Sequence, residues 1–251
     1  MAWFFLFACA LRADLEGADD APSAAVLAAD SRFAMRGVDD RGLSDAVAGW
    51  TLALAVDPRD RHALGRLAHA HWILALTEPD RAAQLGIGEE FGWRCLLAVP
   101  GFGSAVSGGG GVVTARALAA LDASSAPCLA WTAANLVDRV AVRGPGARLD
   151  LETARILVTR LGRFSNADVA PWDPAGLAGL DEWLDGRVAH LGPADRDAGR
   201  PALLAAVVAS PGFERFRLDL ERAHPDAEAP KRPPVDRWPL ENRAVAARPP
   251  D

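Results

Sequence analysis

The sequence contains no tyrosine and only three cysteines, none of them in a CxxC pair. Without that pair, neither a zinc ribbon nor a thioredoxin-type redox site is indicated. Cys95 and Cys128 fall in apolar, helix-compatible stretches, where the expectation is a buried, inert thiol at each. A basic excess is also missing. Lys and Arg number 27 against 33 Asp and Glu, a formal net charge of −6, and no Lys/Arg cluster precedes the C-terminal tail. A general electrostatic attraction to nucleic acid or to anionic lipid is therefore not expected. The most apolar stretch, the first eleven residues, falls short of the roughly 20 residues that span a bilayer.

Motifs for catalysis are equally scarce. Ser104 and Ser107 stand beside glycines without completing G-x-S-x-G. The glycines at 108–111 lack the Lys-Ser/Thr of a phosphate-binding loop and read as a linker. His62 and His69 fall seven residues apart, on one helix face, while His71 does not join them, and no carboxylate completes a metal motif. They read as structural or surface histidines. Glu89 and Glu90 are adjacent and point in different directions, so they form no acid–base pair. No cofactor and no enzymatic activity is implied.

What is present is helix. Ala and Leu dominate the apolar set, and β-branched runs are short. Ser23 caps a first helix carrying Val26, Leu27 and Phe33, and Ser44 is the expected cap of a second that stops at Asp57-Pro58. Further helices are predicted through Leu64–Leu74, about 80–99, 112–122, 126–142, 149–161, 177–191, 199–209 and 212–224. Residues 226–251 are rich in Pro, Arg and Asp and form a tail, disordered or draped over the body.

Spacing inside these helices matches a tetratricopeptide register. Ala46, Trp50, Ala53 and Pro58 fit the second helix of a repeat, and Leu64, Leu67, Ala68 and His71 the first helix of the next. Ala53 permits a close neighbour, Trp50 fills the space beside it, and Pro58 ends the helix. Leu203, Ala206 and Pro211 repeat that spacing more faintly, and LLAVPGF (96–102) echoes VVASPGF (207–213). The fold expected over residues 23–225 is all-α, with tetratricopeptide-like antiparallel helix pairs in a helical repeat array.

Residues 1–22 stand apart. MAWFFLFACAL is strongly apolar, and the small, acidic stretch that follows reads as a tether. Leu6-Phe7-Ala8-Cys9 looks like a lipobox, which would make Cys9 a lipidation site. The alternatives are an apolar first strand or helix, or a mis-assigned start codon.

Taken in order, several segments resemble the T-component (TatT-like) proteins of TRAP transporters, the tripartite ATP-independent periplasmic systems. They are LFAC, the repeat ending at Asp57-Pro58, the helix ending in CLLAVPGF, the segment APCLAWTAANLVDRVAV, and the late helix before SPGF. The resemblance covers roughly residues 24–224, and its most specific part surrounds Trp131. It implies an exported α-helical lipoprotein that oligomerises, associates with a periplasmic substrate-binding protein or other subunit, and handles a hydrophobic small molecule. The residues themselves place Trp131 and Asn135 one helical turn apart on an apolar helix, where an indole and an amide can line a ligand cleft. Trp93 is a weaker candidate of the same kind. The rival reading is a generic tetratricopeptide scaffold for protein assembly in the cell envelope.

Overall fold

A computed structural model of the chain describes residues 22–39, 41–144, 148–164, 180–192, 197–210, 213–229, 231 and 241–242. Residues 1–21, which include Cys9 and most of the leader-like segment, lie outside them. So do Pro211 and the irregular stretch at 165–176.

Eleven α-helices and no strand occur among the described residues. They are α1 (Ala24–Ala34), α2 (Gly42–Val56), α3 (Arg61–Thr77), α4 (Arg81–Leu97), α5 (Pro100–Gly108), α6 (Ala115–Ala119), α7 (Ala126–Arg143), α8 (Arg148–Leu161), α9 (Leu180–Leu191), α10 (Arg200–Ala209) and α11 (Glu214–Ala223). Their starts follow side-chain chemistry. Ser23, Asp60, Asp80 and Thr114 each accept a hydrogen bond from the backbone N–H three residues on, and so satisfy a donor that the helix leaves open. Ser44 is not the cap of α2. The helix already begins at Gly42, and the Ser44 hydroxyl donates to the Arg41 carbonyl. Pro100 ends α4 but also opens α5, because a proline in the first turn surrenders only an N–H that has no helical partner there.

Neighbouring helices pack as pairs in chain order: α1 with α2, α3 with α4, α7 with α8, α9 with α10, and α10 with α11. The tetratricopeptide register is realised where it was cleanest. Ala46, Trp50 and Ala53 are buried on α2, and Leu64, Leu67 and Ala68 on α3. The array is not a simple stack. The short α5–α6 hairpin interrupts it, so that α4 packs directly against α7. Helix α7 touches α3, α4, α8 and α9 and is buried along almost its whole length from Ala126 to Val140.

The α4–α7 seam is built from matched pairs. A Cβ placed on Gly88 would meet Asn135 Oδ1 at 2.2 Å, and one on Gly92 would meet Thr132 Oγ1 at 2.4 Å and Thr132 Cα at 2.9 Å. At Gly92 the obstacle includes the backbone of α7, which cannot rotate away as the Asn135 side chain beside Gly88 could. One turn further along, Cys95 and Cys128 form a disulfide, with their Cα atoms 5.6 Å apart. The expectation of two separate, inert thiols is therefore corrected. Both cysteines are buried, but as one bridge. The pairing is invisible in the spacing because the two residues lie 33 apart and meet only when α4 and α7 run antiparallel.

Candidate functional site

The three residues singled out from the sequence occupy one region but do not share one contact surface. Asn135 is fully buried on α7; its amide donates to the carbonyls of Ala68 on α3 (2.9 Å) and Trp131 (2.7 Å). Its Oδ1 has no hydrogen-bond partner and lies against Gly88 of α4. Trp131 faces α3, where its indole stacks on the His69 ring, with centroids 3.5 Å apart and planes 8° from parallel. Only 6% of Trp131 is exposed. Trp93 is engaged elsewhere. It is half-buried on α4, and its indole N–H donates to Glu89 Oε1 of the same helix at 3.2 Å. Glu89 in turn pairs with Arg139 of α7.

His69 is the polar centre of this region. Its ring lies between Trp131 and the edge of Phe33, whose centroid is 5.1 Å away. Its Nδ1 is buried with no hydrogen-bond partner. Burial depresses its pKa well below the usual value, and the guanidiniums of Arg36 and Arg66 add to that shift. The same two cations flank Phe33, with Arg36 Cζ at 4.2 Å and Arg66 Cζ at 5.7 Å from the ring centre. The other histidines have partners outside this stack. His62 Nε2 meets Asp30 Oδ2 at 2.7 Å, and His71 Nδ1 meets Gln84 Oε1 at 2.7 Å. No group of three or more His, Cys, Asp or Glu that could hold a metal ion occurs among the described residues.

A neutral, buried His69 has a measurable consequence. The folded state resists a proton that the unfolded chain accepts below about pH 6.5. Stability should therefore fall as the pH drops through that value, by up to about 1.4 kcal/mol per pH unit from this residue. His69→Phe keeps a flat ring against Trp131 and removes the proton. Urea unfolding at pH 7 and pH 5.5 should show a smaller loss for this variant than for the parent chain. Equal losses would place the acid sensitivity elsewhere.

A second assembly went unseen in the sequence. Asp138, one turn beyond Asn135 on α7, accepts from Trp72 Nε1 at 3.0 Å and from Arg215 Nη2 at 2.8 Å. Arg81 and Arg187 each bring a nitrogen within 3.5 Å of the same carboxylate. Asp219 on α11 accepts from Trp183 Nε1 and from Arg215 Nε, both at 2.8 Å, and pairs with Arg187 at 3.3 Å. Burial pushes both carboxylates toward the neutral form, but the arginines overcome it. Asp138 is held below the usual carboxylate range and Asp219 at about 2. Groups that stay ionised this firmly and are bonded this fully are fasteners, ill suited to proton transfer near neutral pH. They tie α3, α4, α7, α9 and α11 together. The available signal was Asp138 itself, an acid seven residues beyond Trp131 on the same stripe of an apolar helix.

Aromatic contacts join the two assemblies. Trp72 lies 5.6 Å from Trp131 and 5.9 Å from Trp183, and Trp183 lies 5.6 Å from Phe216. With Phe33 and His69 they make one run of rings from α1 to α11.

No protein-family model and no curated protein matches this chain. The functional reading therefore rests on its own residues. No helix among the described residues is long and apolar enough to cross a membrane. Described residues beyond Ala223 lie against the body: Ala227 and Ala229 pack on the core, and Asp226 pairs with Arg200. Buried Glu241 pairs with Arg36 at 2.8 Å, and Asn242 Oδ1 accepts from the Glu214 N–H at 2.9 Å.

Proposed function

We propose that this protein is a non-enzymatic, exported helical-repeat protein of the TatT-like kind, an accessory of a tripartite periplasmic transport system. In this reading it binds a substrate-binding subunit or a hydrophobic ligand and is anchored through Cys9. The observation that carries the reading is the Cys95–Cys128 bridge. Structural disulfides persist in oxidising compartments and are rare in a reducing cytosol. The bridge also joins two of the segments that resemble that family, CLLAVPGF and APCLAWTAANLVDRVAV. The stacked aromatic cluster around Trp131, with His69 Nδ1 lacking a hydrogen-bond partner beside it, supports an amphipathic ligand.

A second reading, a generic tetratricopeptide scaffold for protein assembly, is favoured by the Ala46–Pro58 register as it packs on α3.

The test is to produce the chain with its own leader-like segment in a bacterial host and fractionate the cells. Recovery in the envelope is expected, with Cys95 and Cys128 alkylated only after reduction. Native mass spectrometry should then detect a retained lipophilic molecule or a complex with an added substrate-binding protein. A cytoplasmic chain with both thiols free and nothing bound would overturn the proposal. A protein complex without any retained molecule would favour the scaffold.

A further inference from the structure

The last helix takes its cap from a distant part of the chain. Phe213, which precedes α11, has no side-chain oxygen to offer the first turn. That bond comes from 28 residues further on, where Asn242 Oδ1 accepts from the Glu214 N–H at 2.9 Å. The residue before it reaches the other end of the array. Glu241 is 2% exposed, and its Oε1 accepts from Arg36 Nε at 2.8 Å, just beyond the end of α1. Arg36 lies over the Phe33 ring, which meets His69, which stacks on Trp131. Glu241 is therefore the outer layer of that stack, and two adjacent tail residues join the first helix to the last. The carboxylate is only half bonded. Its Oε2 is buried with no hydrogen-bond partner, whereas both oxygens of Asp138 accept hydrogen bonds. A buried carboxylate left in this condition gives back part of what its ion pair contributes.

We infer that Arg36 and the N-terminus of α11 form a docking site for a short acidic peptide segment, and that Glu241-Asn242 is its built-in, displaceable occupant. The two contacts define the chemistry that fits. The Arg36 guanidinium takes a carboxylate, and the Glu214 N–H takes a side-chain oxygen on the residue that follows it. A partner segment with a carboxylate and then an amide or hydroxyl oxygen meets both demands. The tail competes with it from within the same molecule, where a short flexible linker gives an effective concentration on the order of millimolar. The closed arrangement therefore prevails until a partner segment binds. Release uncovers Arg36 and the side of Phe33 beneath it, which gives the stack leading to Trp131 an open end. The tail acts as an autoinhibitory contact on that stack. None of this depends on export, on Cys9 or on a ligand held near Trp131.

The test compares the full chain with the full chain carrying Glu241→Ala and Asn242→Ala. Each is titrated with a fluorescent peptide of residues 236–247, and binding is read by anisotropy. The variant should bind the peptide saturably, and the parent at least about tenfold more weakly, because its own tail competes. The same peptide carrying Glu241→Gln should lose most of its affinity for the variant. Both substitutions lie outside the helices that build the core, so the thermal melts of the two chains should nearly coincide. Equal binding to parent and variant would overturn the inference, since the tail would then occupy no site of its own. So would a failure of the peptide to bind either chain. A collapse of the variant's melt would also overturn it, because Glu241 would then be a fixed part of the core rather than a displaceable occupant.

Discussion

Replacing Asp138 with alanine should lower folding stability by about 3–5 kcal/mol, the usual penalty for breaking a buried ion pair from one side. The carboxylate accepts from the Trp72 indole and lies within 3.5 Å of Arg81, Arg187 and Arg215. Without it, Arg187 and Arg215 keep Asp219 as a counter-charge, and all three guanidiniums lose that of Asp138. Urea denaturation at pH 7 measures the change. A loss below about 1 kcal/mol, the worth of a surface pair, would mean that water reaches the cluster. The pH dependence has a definite sign. Both aspartates titrate below the ordinary carboxylate range when folded, Asp219 at about 2. Their contribution is therefore complete above about pH 4 and is lost as the pH falls toward 2. That window lies well below the one governed by His69, so a stability profile should show two separate acid limbs.

Removing the disulfide by Cys95→Ser and Cys128→Ser should cost about 3–4 kcal/mol. That is the chain-entropy value for a closed loop of this length, here 33 residues. Both sulfurs are fully buried, so the serine hydroxyls add a desolvation penalty to the lost cross-link. The thermal midpoint is expected to fall by several degrees or more. The parent chain unfolded in the presence of a reductant should approach the variant. If the parent proves indifferent to reductant, the bridge is absent in solution and the main support for an oxidising compartment goes with it.

How far the sequence could be read depended on the range of the interactions involved. Many helix limits were accessible because caps and prolines act within a turn, but α5 was not foreseen, and the helix expected at 112–122 is the shorter α6. Asp60 and Asp80 sit one residue before the helices they open, and Pro127 falls in the first turn of α7. The repeat register was accessible for the same reason, since Ala46, Trp50 and Ala53 mark one stripe of one helix. What escaped was non-local. Cys95 and Cys128 look like two ordinary apolar positions until α4 and α7 are laid antiparallel. Arg81, Arg187 and Arg215 come from three helices, and nothing in their local sequence marks them as one cluster. Trp131 and Asn135 were found because they share a helix, but their surroundings were not. His69, which stacks on Trp131, lies 62 residues earlier in the sequence. Trp93 shared only composition with that pair, and its indole is committed to Glu89.

Helix α7 also limits how the chain can be divided. In a one-dimensional array each unit rests on its neighbours alone, and stability adds up unit by unit. Here a helix from the middle of the chain is wrapped by partners on both sides of it in sequence, and Asp138 on it is clamped by an arginine from α11. No cut between helix pairs leaves two self-sufficient pieces. A truncation at Gly144 would strip α7 of α8 and α9, and one before α3 or α4 would bare its other flank. The protein should behave as a single domestic unit in unfolding, transfer and engineering, one that cannot be lengthened or shortened by a repeat as a true solenoid can.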